Sequence, residues 1–224
     1  MNQSNVDYLN ESLKYLGFGE KSLLNQHLEA QILREPASFE LFTEAFFDSD
    51  TKLEAKLYFT RSTKSDFYFF NKYEALLRYA GEPDKDRSQT FYINKGHGTT
   101  YKEAFNLLQG RAVFKTLTSR SGIQYTTWIQ LDFSRKDGNG NYARNYYRGR
   151  KYELEETLRD QHIREMDFDN LRENLIRSLE RGNLHPVTFD SPDRKGKHLI
   201  EANPAMNTIN IYPLATRAAD VTPS

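Results

Sequence analysis

Between residues 53 and 59 apolar and polar side chains alternate without a break, with Leu53, Ala55, Leu57 and Phe59 in one set and Glu54, Lys56 and Tyr58 in the other. Successive residues of a strand point to opposite faces, so this run demands a sheet with one buried and one wet face. Antiparallel sheets satisfy that demand, whereas parallel sheets are covered on both sides. A polar turn, Asp48-Ser49-Asp50-Thr51, precedes the run, and residues 38–47 before it are rich in Phe and Leu, so the two segments read as a hairpin. Residues 66–73 and 89–94 predict further strands around the charged loop 81–88.

The dry face needs a cover. Val6, Leu9, Leu13 and Leu16 share one face of a helix over 5–16 that Gly17 and Gly19 end, and Leu23, Leu24, Leu28 and Ile32 stripe a second helix bounded by Pro36. Thr99 or Thr100 caps a third helix that runs to about 108, with Ala104, Phe105, Leu107 and Leu108 inward. Strands follow at 112–118, 124–133 and 141–147, then a helix over 152–158. A stronger helix spans 168–181, with Phe168, Leu171, Leu175, Ile176 and Leu179 inward, and strands at 187–189, 198–202 and 208–212 close the chain.

Helix, strand, polar turn, strand recurs from Leu23, from Thr99 and from Phe168. One helix over one twisted hairpin is too small to stand alone and must share a sheet with neighbours. The expectation is an α+β fold of twisted, mainly antiparallel sheets covered by helices, read as three divergent helix–hairpin units. Residues 1–95 hold N-terminal helices and antiparallel strands, 96–213 hold two helix–hairpin units on the same or an adjoining sheet, and 214–224 form a flexible tail.

Composition narrows the function. Hydrophobic residues are 38% of the 224, with 15 Phe and 14 Tyr, so the core is aromatic-rich and the mean hydropathy of -0.78 reflects a charged surface. Lys plus Arg and Asp plus Glu number 31 each, so nucleic-acid binding must be local. No cysteine occurs, which excludes disulfides, thiolate metal sites and cysteine nucleophiles and fits a reduced cytoplasm. No apolar run approaches the roughly 18 residues of a membrane span, and no export signal is expected at the N-terminus. His27, His97, His162, His185 and His198 lack metal-ligand spacing, and no Gly-x-Ser-x-Gly elbow occurs. No metal, cofactor or catalytic residue is expected, and a non-enzyme is favoured.

Two segments remain. Residues 135–151 carry Arg135, Lys136, Arg144, Arg148, Arg150 and Lys151 against the single acid Asp137, interleaved with Tyr142, Tyr146 and Tyr147. Cations that grip phosphates beside rings that stack on bases suit single-stranded or structured nucleic acid. The competing reading is a solvated edge hairpin whose arginines pair with Glu153, Glu155 and Glu156. Gly96, Gly98 and Thr99 precede a helix, where backbone N–H groups can hold an anion. Glu165, Asp167 and Asp169 read as dipole-favoured acids before the helix 168–181, with a divalent-cation site as the minority alternative.

The phrases 103–114 (EAFNLLQGRAVF), 128–133 (WIQLDF) and Glu201-Ala202-Asn203-Pro204 with 208–212 (TINIY) resemble uncharacterised domains carried by bacterial conjugative and other mobile elements. That resemblance covers about half of the chain. It implies a setting among DNA-transfer and DNA-processing functions, with related units similar to appendages of topoisomerase-like proteins, and it brings no active site. The leading expectation is therefore a non-enzymatic accessory protein that binds nucleic acid, or a nucleic-acid-processing partner, through the basic hairpin. A protein-binding inhibitor or adaptor is the alternative, and an enzyme with an unrecognised site is the third.

Overall fold

The alternating run is the second strand of a four-stranded meander. The computed structural model describes residues 2–19, 23–94, 96–119, 121–148 and 152–214. Its elements run α1 (Gln3–Tyr15), α2 (Leu23–Leu33), β1 (Ser38–Phe46), β2 (Thr51–Arg61), β3 (Tyr68–Tyr79), β4 (Arg87–Tyr92), α3 (Tyr101–Leu108), β5 (Val113–Thr118), β6 (Gln124–Lys136), β7 (Tyr142–Tyr147), α4 (Leu154–Arg159), α5 (Asp169–Glu180), β8 (His185–Asp190), β9 (Lys195–Asn203) and β10 (Thr208–Pro213). The fold is α+β, with three antiparallel sheets ordered β1-β2-β3-β4, β5-β6-β7 and β10-β9-β8. The described residues form two compact units. One holds the chain up to 110 together with 132–143, and the other holds 111–131 together with the chain from 144 onward.

In the first unit, Leu41, Leu57, Tyr73 and Phe91 lie opposite one another across all four strands and are all buried. Each such side chain contributes roughly 1.5–3 kcal/mol through removal from water. Phe39, Phe59 and Phe70 stack at 4.8 and 4.9 Å between centroids, so aromatic residues fill the core as composition requires. The stripe Val6, Leu9, Leu13 and Leu16 of α1 is fully buried, as its spacing predicts. Asp48 makes the β1–β2 turn by accepting from the Asp50 and Thr51 amides and the Thr51 hydroxyl.

The second unit packs Trp128, Leu158, Leu175, Leu179, Val187, Phe189, Ile200 and Ile209 into its own core. Irregular chain before α5 completes its sheet. Ile163 bridges Phe189, the Asp190 amide donates to the His162 carbonyl, and the Glu165 carboxylate accepts from the Thr188 amide at 2.9 Å. Arg111 Nε donates to the Gly182 carbonyl at the end of α5.

Three expectations change. The helix expected to open the second half, α3, belongs to the first unit, whereas the hairpin it precedes, β5–β6, starts in the second. Of the recurring helix–hairpin pattern, the middle copy is thus divided between units. Phe168 and Leu171, expected inward, are 53% and 42% exposed: Phe168 precedes α5 with extended backbone, so helical periodicity does not reach it, and Leu171 lies in the first turn of α5, whose buried face begins only at Leu175.

Candidate nucleic-acid interface

The basic hairpin is β6, its turn and β7, and its residues fall into separate groups. Its tip, residues 132–143, belongs to the first unit, where Asn141 and Tyr142 are bonded to β4 while residues 134–140 stay exposed. Gln89 accepts from the Tyr142 amide at 2.8 Å and donates to the Tyr142 carbonyl at 3.4 Å, while Asn141 Oδ1 accepts from the Thr90 amide at 2.7 Å. The Tyr142 ring meets Phe133 edge-on at 4.9 Å, with Lys136 4.6 Å over its face, and Arg87 lies 3.8 Å over Phe133. Arg135 pairs with Asp132 at 2.8 Å. Hydrogen bonds from the Ser134 hydroxyl, Arg135 and the Ser134 amide hold the Asp132 carboxyl down at about 2. Tyr142 is therefore bound into a structural clamp on β4, whereas Arg135 and Lys136 stay exposed, Arg135 pairing within its own hairpin and Lys136 lying on the Tyr142 ring.

The base of the hairpin, in the second unit, is different. Tyr147 packs against the core and donates its hydroxyl to Gln130 Oε1, which removes it as a stacking surface. Arg148 lies 4.2 Å over the Tyr125 ring, donates to the Tyr125 hydroxyl at 2.8 Å, and sits 5.8 Å from the Tyr146 ring centroid. Tyr146 is 45% exposed. Alternation puts Arg144 on the Tyr146 face of β7, and the register Leu117 to Tyr125 and Lys115 to Thr127 puts Lys115 on the Tyr125 face of β6. Arg148 touches both tyrosines, so these are one face of the β5-β6-β7 sheet. Arg150 and Lys151 lie outside the described residues.

The chain segments that build this face contain no acid. Residues 111–131 and 144–152 hold Arg111, Lys115, Arg120, Arg144, Arg148, Arg150 and Lys151 and neither Asp nor Glu. Sequence reading found the second segment and missed Tyr125 and Lys115, which reach the site only through strand pairing. The acid-free stretch 111–131 was the available signal.

The open face of the first unit's sheet offers a contrast. It exposes Phe42, Phe46 and Tyr92 and carries a groove of roughly 600 Å³ between Phe42, Leu76 and Ser88. Its charges, however, satisfy one another: Lys52 pairs with Glu44 and Glu54, Lys56 with Glu40, Lys72 with Glu74, and Arg78 with Glu54. Four carboxylates among four cations leave no field for a polyanion.

The glycine loop before α3 is filled from within. Thr100 and Glu103 form a reciprocal capping box, and the Tyr101 amide donates to the Leu16 carbonyl, so these N–H groups already have acceptors. Gly96 lies against Ser12 and Tyr8, a side chain at Gly98 would meet Ile93 at 2.7 Å, and the Thr99 carbonyl accepts from the Tyr73 hydroxyl. Of the acids before α5, Glu165 serves the Thr188 amide and Asp169 pairs with Arg172 at 2.6 Å. Among the described residues no three His, Asp or Glu converge as a metal site, and no helix is long and apolar enough to cross a membrane.

The phrases 103–114 and 201–212 have structural duties. Glu103 closes the capping box, Gly110 adopts φ +91° where a side chain would meet the Phe133 ring at 3.2 Å, and Glu201, Asn203, Asn210 and Tyr212 form a hydrogen-bonded ladder on β9 and β10. No protein-family model, curated protein or solved structure matches the chain.

Proposed function

We propose that this chain is a cytoplasmic, non-enzymatic accessory protein of a mobile element. In this reading it binds nucleic acid through the face formed by Lys115, Tyr125, Arg144, Tyr146 and Arg148. The observation that carries the reading is the guanidinium of Arg148 held on the Tyr125 ring beside an exposed Tyr146, in a part of the sheet built from acid-free chain. Lys115, Arg144 and Arg148 supply phosphate contacts, and Tyr146 supplies a ring for a base. The resemblance to mobile-element domains supports the setting.

A fluorescently labelled oligonucleotide titrated at increasing salt tests it. Three phosphate contacts predict a slope of log affinity against log salt near -2, or roughly -3.5 if Arg150 and Lys151 join. Arg148→Ala should weaken binding by about tenfold or more and flatten the slope. Salt-insensitive binding, or binding that ignores Arg148→Ala, contradicts the reading.

A protein-binding adaptor is the second reading, supported by the exposed Phe42 and Phe46 of β1, which lies at an edge of its sheet. It expects a stable protein complex that Phe42→Ser with Phe46→Ser disrupts, with no retained nucleic acid.

A further inference from the structure

A basic, tyrosine-bearing sheet can meet nucleic acid in two ways. A two-stranded ribbon can enter the major groove of a duplex, or a sheet face can accept unpaired bases on its rings. The geometry decides between them.

Ribbon entry requires a projecting tip whose side chains reach base edges. Here the exposed turn 137–140 offers Asp137, Gly138, Asn139 and Gly140 and no cation, and the strand ends behind it are committed: Asn141 and Tyr142 are bonded to Thr90 and Gln89, and Lys136, Tyr142, Phe133 and Arg87 make one continuous ring-and-cation stack. Arg135 is held by Asp132. The groups that remain lie at the other end of the hairpin, on the surface of a sheet rather than at a protruding end.

That surface suits an unstacked base. Bases inside a duplex present only their edges to the grooves, so an exposed ring gains nothing from them, whereas a splayed base offers its whole face. Tyr146 is 45% exposed, and its hydroxyl makes no hydrogen bond among the described residues. Arg148 is preorganised by the Tyr125 ring and hydroxyl, which holds its guanidinium at the edge of the Tyr146 site. A fixed guanidinium next to an open ring is the arrangement for one phosphate and the base beside it.

We infer that the ligand of this face is single-stranded nucleic acid, bound by stacking of an unpaired base on Tyr146 with the neighbouring phosphate on Arg148. The inference rests on the nucleic-acid reading above and adds the strandedness of the ligand.

The experiment compares a labelled single strand of about 15 nucleotides, within the span such sheets cover, with the duplex formed from the same strand and its complement. The full chain is used, as wild type, Tyr146→Ala and Tyr146→Phe. The single strand should bind about tenfold or more tightly than the duplex. Tyr146→Ala should weaken single-strand binding by about tenfold, Tyr146→Phe should stay within about twofold of wild type, and duplex binding should change little in either variant. Equal or tighter binding of the duplex overturns the inference and leaves the nucleic-acid reading standing. Loss of single-strand affinity in Tyr146→Phe as large as in Tyr146→Ala also overturns it, because stacking does not need the hydroxyl. Binding of neither form overturns both. Matching thermal unfolding curves for the three proteins exclude misfolding as the cause, as an exposed ring predicts.

Discussion

A side-chain amide carries a donor and an acceptor spaced like those of a peptide group, and the first unit uses this twice. Asn5 accepts from the Tyr68 amide at 2.7 Å and donates to the Tyr68 carbonyl at 3.0 Å, while Gln89 does the same to Tyr142. Both are almost fully buried, at 1% and 4% exposure, so the groups they satisfy would otherwise be cut off from water. Gln89→Leu should therefore destabilise the protein by about 2–3 kcal/mol in urea unfolding, since it strands two backbone groups of Tyr142. Hydrogen exchange at the Tyr142 amide should accelerate in the same variant, and unchanged protection would show that the clamp is dispensable. Neither amide was legible in the sequence, because a polar residue at an inward position announces a partner without saying which. The backbone of Tyr142 is the partner of Gln89, and its ring, read from sequence as a stacking surface, lies edge-on to Phe133 under Lys136.

At the level of elements, hydrophobic spacing carried most of the information. The α1 stripe and the alternating β2 run point as their periods require, with Val6, Leu9, Leu13 and Leu16 buried and every second residue of β2 from Thr51 to Phe59 buried. Capping chemistry was equally readable at α3, where Thr100 and Glu103 stand three apart. Thr100→Ala should cost about 1 kcal/mol of stability, and Thr100→Ser should recover most of it in the same thermal or urea measurement. An alanine variant as stable as wild type would mean that the loop, rather than the cap, holds the helix start. The hairpin β6–β7 was legible as two strands and a turn, but its division was not. Cations stand at both ends of 135–151, and only the bonds from Gln89 and Thr90 mark where the hairpin is held by the first unit.

For the molecule as a whole, a formal net charge of zero conceals an uneven distribution. The open face of the four-stranded sheet neutralises itself through Lys–Glu and Arg–Glu pairs. The hairpin base instead joins two acid-free segments that are distant in sequence until β5, β6 and β7 pair. Fold class was recoverable from one chain because periodicity is a local signal, whereas the candidate site required Tyr125 and Arg148 to meet across strands. The claim most exposed to test is that ligand contact lies at this base and not at the tip or on the open sheet face. Ultraviolet crosslinking of the full chain to a photoreactive single-stranded oligonucleotide, with the modified residue located by mass spectrometry, measures that directly. The account predicts adducts on Tyr146 or Tyr125, and adducts confined to Tyr142, or to Phe42, Phe46 and Tyr92, would contradict it.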